Sequence, residues 1–254
     1  MQLNYKIIGQ GKPLIILHGL FGMLDNWQSI AKSLETDFTL YLVDQRNHGK
    51  SPHFNEHSYK LMAADLKEFM MQQGISQSNI MGHSMGGKTA MQFALVDPEM
   101  VDKLIVVDMG IKRYSGGHDT IFDALQSIKP ALIHSRSDAE KQLSLFIQNN
   151  SIRQFLLKNL SRSADGNYNW KFNLSALSIN YENNILDGIT AEIQFEGDTL
   201  FLRGSKSDYI LNTDWDSIQT LFPAAKLKTV EDAGHWVHAD QPEQLISYIK
   251  SFLI

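Results

Sequence analysis

Short apolar runs rich in β-branched residues recur along the chain, with amphipathic helical stretches between them. The runs fall at 3–8, 14–17, 39–43, 78–81, 104–108, 200–203 and 226–230. Several are too continuously apolar to have a solvent face, which is how interior strands of a parallel sheet read. Helical spacing is clearest between Ser58 and Gly74. There Leu61, Met62, Leu66, Phe69 and Met70 form one stripe, with Ser58 as N-cap and Gly74 as C-terminal stop. A second stripe (Trp215, Ile218, Leu221, Phe222) is capped by Thr213 and stopped by Pro223. A third (Leu245, Ile246, Ile249, Phe252, Leu253) follows Gln241-Pro242. This alternation predicts an α/β fold with a right-handed, doubly wound, mostly parallel sheet, and a site at the C-terminal edge of its strands.

The alternation lapses between Asp108 and Leu200. Helical segments are expected at 119–128, 137–149 and 151–160, then an extended polar-aromatic piece at 167–172. An insertion of this kind predicts a helical cap over 110–188, set into a core formed by 1–109 and 189–254. A cap would exclude water and give apolar walls to a pocket. The alternative is a helical excursion packed away from any site. Trp170 and the other aromatics of this stretch read as packing residues.

Composition narrows the classes. The 254 residues carry a net charge of −5, which suits neither nucleic acid nor an anionic membrane surface. With no cysteine, disulfides, thiolate metal sites and a cysteine nucleophile are excluded. No apolar run approaches a membrane span. The first residues open into a strand without a basic or apolar leader, so a cytoplasmic location is expected. There is no G-x-G-x-x-G and no phosphate-binding loop. His53 and His57 have a spacing that could ligate zinc, but no third ligand accompanies them. The expectation is a protein with no metal and no cofactor.

Chemistry concentrates in Gly82-His83-Ser84-Met85-Gly86, directly behind the run 78–81. A G-x-S-x-G between strand and helix is a nucleophile elbow, a strained turn that lifts the serine hydroxyl above the sheet edge. Gly86-Gly87 would let the next helix, carrying 89–94, pack close to the strand. A serine needs a base. Among nine histidines, His235 is best placed, in Asp232-Ala233-Gly234-His235-Trp236 after the last strand. The order serine, then a C-terminal histidine, fits neither chymotrypsin-like nor subtilisin-like enzymes. Leu17-His18-Gly19-Leu20 follows an early strand. That position supplies the Leu20 N–H to an oxyanion hole, beside the Met85 N–H after the nucleophile. His18, His48 and His83 read as scaffold. His238 either lines the site or hydrogen-bonds within its loop, and His118 and His134 carry no pattern.

With these residues in place the chain resembles the α/β-hydrolase superfamily over its whole length, and within it the small bacterial esterases of the YbfF type. The resemblance rests on His18-Gly19-Leu20-Phe21-Gly22 with Asp25-Asn26, on Asp44-Gln45-Arg46-Asn47-His48-Gly49-Lys50-Ser51, on Gly82 to Lys88, and on Gly234-His235-Trp236-Val237-His238. The Arg-Asn-His-Gly and Gly-His-Trp-Val-His spellings are the more particular. It implies an α/β-hydrolase fold, hydrolysis of carboxylic esters with acyl thioesters as a second class, and no cofactor. Arg46 is implied to brace loops near the site. The third triad member has two candidates. In many α/β-hydrolases the acid follows the penultimate strand, a few residues past a glycine, where Gly204 is followed by Ser207 and then Asp208. In the YbfF-type branch it comes from the strand after the nucleophile's, which favours Asp108. The same triad also serves C–C bond hydrolases, lyases and cofactor-free peroxidases, and some ligand receptors keep it without turnover. Dehalogenase and epoxide-hydrolase chemistry would need a carboxylate where Ser84 stands.

Overall fold

The computed structural model describes residues 1–163 and 166–254; the insertion expected at 110–188 therefore includes two residues, 164 and 165, outside the described ones. The chain runs β1 (Tyr5–Gly9), β2 (Lys12–Leu17), α1 (Gln28–Leu34), β3 (Phe38–Val43), α2 (Tyr59–Gln72), β4 (Ser78–His83), α3 (Met85–Val96) and β5 (Val101–Val107). Then come α4 (Asp119–Ser127), α5 (Arg136–Ser144), α6 (Asn150–Leu157), β6 (Leu160–Arg162), β7 (Tyr168–Trp170) and α7 (Leu174–Ile179). The chain returns through β8 (Thr199–Gly204), α8 (Trp215–Leu221), β9 (Ala225–Val230), α9 (Val237–Asp240) and α10 (Pro242–Leu253). Seven strands form one sheet in the order β1-β3-β2-β4-β5-β8-β9. Within this seven-stranded sheet only β1 is antiparallel to its neighbour.

Strand alternation divides the apolar side chains between two layers. Ile15, Leu17, Val43, Ile80, Leu104, Val106 and Phe201 face α2 and α3, where Met62, Leu66, Phe69, Phe93 and Ala94 cover them. Leu14, Ile16, Leu40, Leu42, Met81, Ile105, Val107 and Leu202 face α1 and α10, under Ile30, Leu34, Leu245 and Ile249. Both faces are covered, which is why these strands read as unbroken apolar runs.

Strand order fixes where a site can lie. From central β2 the chain first goes out to β3, then returns to place β4 on the other side of β2. This reversal opens a crevice between the C-terminal ends of β2 and β4. The registers Leu17↔Gly82 and His83↔Val107 bring the ends of β2, β4 and β5 level with one another.

Described residues of the 110–188 stretch make contacts with the loops at that edge and with α2. Asn159 Nδ2 donates to Phe21 O at 2.7 Å, Asn173 N to Asn47 O at 2.8 Å, and Tyr59 OH to Ile185 O at 2.6 Å. Phe21, on the loop after β2, sits between the rings of Phe122 and Phe172, both at 5.2 Å. Burying one such ring is worth about 2–3 kcal/mol, so this contact is a main anchor of the stretch.

Several local expectations are corrected. The helix expected over 137–149 ends earlier, at Ser144, and the next, expected from 151, starts at Asn150. Asn149, expected as the last residue of the earlier helix, is instead the N-cap of α6: its side chain accepts from the Ser151 and Ile152 N–H groups. Thr213 does not cap α8. It lies within a 3-10 turn, Asn212–Asp214, and the Asp214 carboxylate accepts the Leu211 N–H at 2.8 Å instead. The first strand begins at Tyr5, two residues after the run's start at Leu3. The extended piece at 167–172 pairs, through β7, with β6.

Candidate active site

The turn after β4 is built by what its glycines lack. A Cβ on Gly82 would stand 2.1 Å from Gly86 O, and one on Gly86 would stand 2.4 Å from Leu17 O. Only two hydrogens at these positions let α3 start so close to β4 and β2. Ser84 itself takes φ 54°, ψ −121°. A non-glycine residue there costs on the order of 1–3 kcal/mol and must be held by its surroundings. One such hold is its N–H, which donates to Val107 O at 3.1 Å.

Asp108 leaves β5 with φ 48° and is wholly buried. Its Oδ2 accepts from His235 Nδ1 at 2.8 Å, and His235 Nε2 lies 3.0 Å from Ser84 Oγ. The carboxylate keeps the proton on Nδ1, so the Nε2 lone pair faces the hydroxyl. Two further donors hold the carboxylate: Gly204 N–H on Oδ1 at 2.9 Å and Ser207 Oγ–H on Oδ2. Ser207 thus occupies the place where the spacing after Gly204 led to expect an acid. Asp208 is exposed and is not part of this line. Tyr209 stacks on the His235 ring at 3.7 Å and 12°.

The loop after β2 stands against the elbow, since a Cβ on Gly19 would be 3.2 Å from Ser84 Cβ. His48 Nε2 accepts the Phe21 N–H at 3.2 Å, and His18 Nε2 accepts the Gln45 N–H at 3.0 Å. Their Nδ1–H groups donate to Arg46 O and Gly19 O. Both rings are therefore held as neutral scaffold around that loop. Among the described residues, neither the Leu20 nor the Met85 N–H donates to a protein acceptor. His83 Nε2–H donates to His235 O at 2.8 Å and so fixes the histidine loop to β4. Arg46 forms a two-point pair with Asp65, its Nη2 at 2.7 Å from Oδ1.

Burial is the leading reason that these rings resist protonation. It lowers His18 below its usual range and His48 and His83 well below it, and takes His57 to about 3 and His118 and His238 to about 4. Neighbouring histidines push His48, His83, His118 and His238 the same way. In the unfolded chain each would take a proton near pH 6.5. Between that value and the folded one the unfolded state holds more protons, so stability is full above it and is lost as pH falls. Each histidine adds a slope of about 1.4 kcal/mol per pH unit in that window. Urea midpoints measured at pH 7, 6 and 5 should fall steeply below pH 6.5; an unchanged midpoint down to pH 5 would show that the rings are solvated.

Two cavities flank Ser84. One, the smaller, is walled by Leu20, Tyr59, Met109, Tyr114, Tyr181 and Tyr209. The other, larger, lies on the His235 side and is walled by Trp27, Ile121, Ile152, Phe155, Trp236 and His238. His118 borders both. Its Nδ1 accepts from Tyr181 OH at 2.7 Å. Nothing in its sequence neighbourhood marked His118, because it reaches the site from the 110–188 stretch by tertiary packing alone. Tyr209 was equally silent. Trp170 stacks on Phe172 at 5.3 Å and borders neither cavity. His53 and His57 point to different partners, Lys171 O and Asn47. No group of three or more His, Asp or Glu among the described residues is placed to hold a metal ion. No helix among them is long and apolar enough to cross a membrane.

The sequence matches the alpha/beta hydrolase fold family over residues 12–178. It is 42% identical to the sn-1-specific diacylglycerol lipase ABHD11 of Danio rerio, an alignment covering 100% of this chain and 83% of that protein. Identity to esterase YbfF of Escherichia coli is 32%, covering 95% of this chain and 92% of the relative. Among solved structures, a marine microorganism esterase superposes with a TM-score of 0.97 at 47% identity, covering 99% of both chains.

Proposed function

The chain belongs to the α/β-hydrolase-fold family, and from that premise we propose that it is a serine hydrolase cleaving carboxylic esters, and acyl thioesters by the same route, through an acyl-enzyme. The observation that carries this reading is the unbroken line Asp108–His235–Ser84, with contacts of 2.8 and 3.0 Å, beside two main-chain amides with no protein acceptor. The esterase and lipase names of its relatives support the same class.

In this mechanism Ser84 Oγ attacks the acyl carbonyl while His235 Nε2 takes its proton. A positioned base of this kind contributes about 10²–10⁴-fold. The charge that develops on the carbonyl oxygen is met by the Leu20 and Met85 N–H groups, each worth on the order of 3 kcal/mol. Asp108 steadies the imidazolium and does not itself take the proton. His235 then protonates the departing alkoxide or thiolate, and next activates water to release the acid. His118 stays neutral beside this step because burial holds it at about 4, so it offers a hydrogen bond and not a charge.

The two cavities divide the substrate. Leaving-group oxygen or sulfur must meet His235, so the alcohol or thiol side takes the larger cavity that His235 borders. The acyl chain takes the smaller one, between the tyrosines and Met109. Each methylene that no longer fits an apolar pocket costs roughly tenfold or more. Turnover of p-nitrophenyl esters and acyl-CoAs of graded length should therefore peak at short chains and decline as they lengthen. Absence of turnover across both series, with Ser84 still reactive toward an electrophile, would move the triad to another reaction class.

A further inference from the structure

Lys88 is a lysine with no part in the mechanism above, yet it is fully buried one turn after Ser84 in α3. A buried ammonium is costly unless all three of its donors are met. Here they are met without any carboxylate: Nζ donates to Lys112 O at 2.9 Å, to Leu186 O at 3.5 Å and to Asp187 O. The ammonium also lies 4.8 Å from the Tyr114 ring centroid and 5.5 Å from that of Tyr59. Burial lowers Lys88 to about 7, with the nearby Arg113 adding to the effect and Asp187 opposing it. Removing it would leave the carbonyl oxygens of Lys112, Leu186 and Asp187 without this donor.

The three acceptors share one place in the fold. Residue 112 lies where the chain enters the 110–188 stretch, and 186–187 lie where it leaves. The two limbs are also bonded to each other, Tyr114 N to Leu186 O at 2.9 Å and Ile189 N to Ile111 O at 2.7 Å. They form a neck, and Lys88 ties both limbs of it to the helix that begins at the elbow. From the neck a chain of contacts runs back to the reacting groups. Tyr114 OH donates to Tyr209 O at 2.7 Å, and the Tyr209 ring stacks on His235. Tyr59, Tyr114 and Tyr209 also wall the smaller cavity beside Ser84.

We propose that Lys88 is a positioning residue: its Nζ bolts the neck of the inserted stretch to the nucleophile helix, and through Tyr114 and Tyr209 it sets the width of the acyl cavity and the seat of His235. The selectivity part of this inference rests on the ester-hydrolase reading; the neck part does not.

The test is Lys88→Met, which keeps the length of the side chain and removes the charge. Amide hydrogen exchange at 111–114 and 186–189 should rise by about tenfold or more while β4 and β5 stay protected. Activity should fall about tenfold, mainly in kcat, from mispositioning of His235. The short-chain preference should flatten, because the cavity wall is no longer held. Unchanged exchange at the neck together with an unchanged chain-length profile overturns the proposal. So does a lower melting temperature with both readouts unmoved in the folded enzyme, since that is a purely structural role. If Lys88→Met does not fold, Tyr114→Phe decides. It keeps the ring beneath the ammonium and removes the hydroxyl that donates to Tyr209 O and accepts the Gly110 N–H at 2.8 Å, so a flattened chain-length profile supports the relay and an unchanged one overturns it. Wild-type protein without esterase activity would count against the function proposed above, while the exchange measurement would still decide the neck.

Discussion

Ser84→Ala is expected to lower kcat for an activated ester by about 10⁶-fold, the scale on which serine hydrolases lose turnover when the nucleophile is removed. The loss should be purely chemical. Ser84 is held by its main-chain N–H on Val107 O, by Gly82 and Gly86 on either side, and by φ 54°, none of which involves the hydroxyl. Alanine tolerates that backbone no worse than serine, so melting temperature and circular dichroism should match the parent protein. Residual turnover near the parent rate in Ser84→Ala, with the fold intact, would mean that another group does the chemistry.

The second large effect is expected at the acid. Asp108→Asn keeps shape and burial but removes the charge and presents an amide where His235 Nδ1–H needs an acceptor. The histidine then loses its tautomer and the stabilisation of its charged form, a change of about 10⁴-fold in kcat. KM should move little, because Asp108 is wholly buried and touches neither cavity. Asp208→Asn, at an exposed position off this line, should leave kcat within about threefold, as expected of a surface change away from the site. Ser207→Ala should fall between the two, because it removes one of the two donors holding the carboxylate apart from His235. A ranking with Asp208 above Asp108 would move the acid to the loop after β8.

How much of this was legible in the sequence depended on whether a signal was local. Gly82, Ser84 and Gly86 announce themselves because the close approach of β4, α3 and β2 forbids side chains at fixed spacing. His235 could be chosen among nine histidines because it follows the last strand and precedes a clear terminal helix. Asp108 was harder. Spacing alone cannot tell which of two neighbouring parallel strands ends within reach of a third, and here β5 and β8 lie side by side, so each offered a candidate. The decisive contact, Ser207 Oγ–H on Asp108, spans 99 residues of sequence. His118, Tyr114 and Tyr209 carried no pattern because their roles arise from how the inserted stretch docks. Asn149 stands at the junction of two expected helices, where its residue type suits the end of one as well as the start of the next, and the cap of α8 was misplaced because Thr213 and Asp214 are both good capping residues.

The most direct test of the central claim is stoichiometric labelling with a fluorophosphonate, read by intact-protein and peptide mass spectrometry. An activated Ser84 predicts one adduct per chain, located on Ser84, formed in step with loss of esterase activity. The adduct should be absent from Ser84→Ala and strongly slowed in Asp108→Asn. No adduct on the native protein, or one that appears elsewhere and persists in Ser84→Ala, would contradict the account.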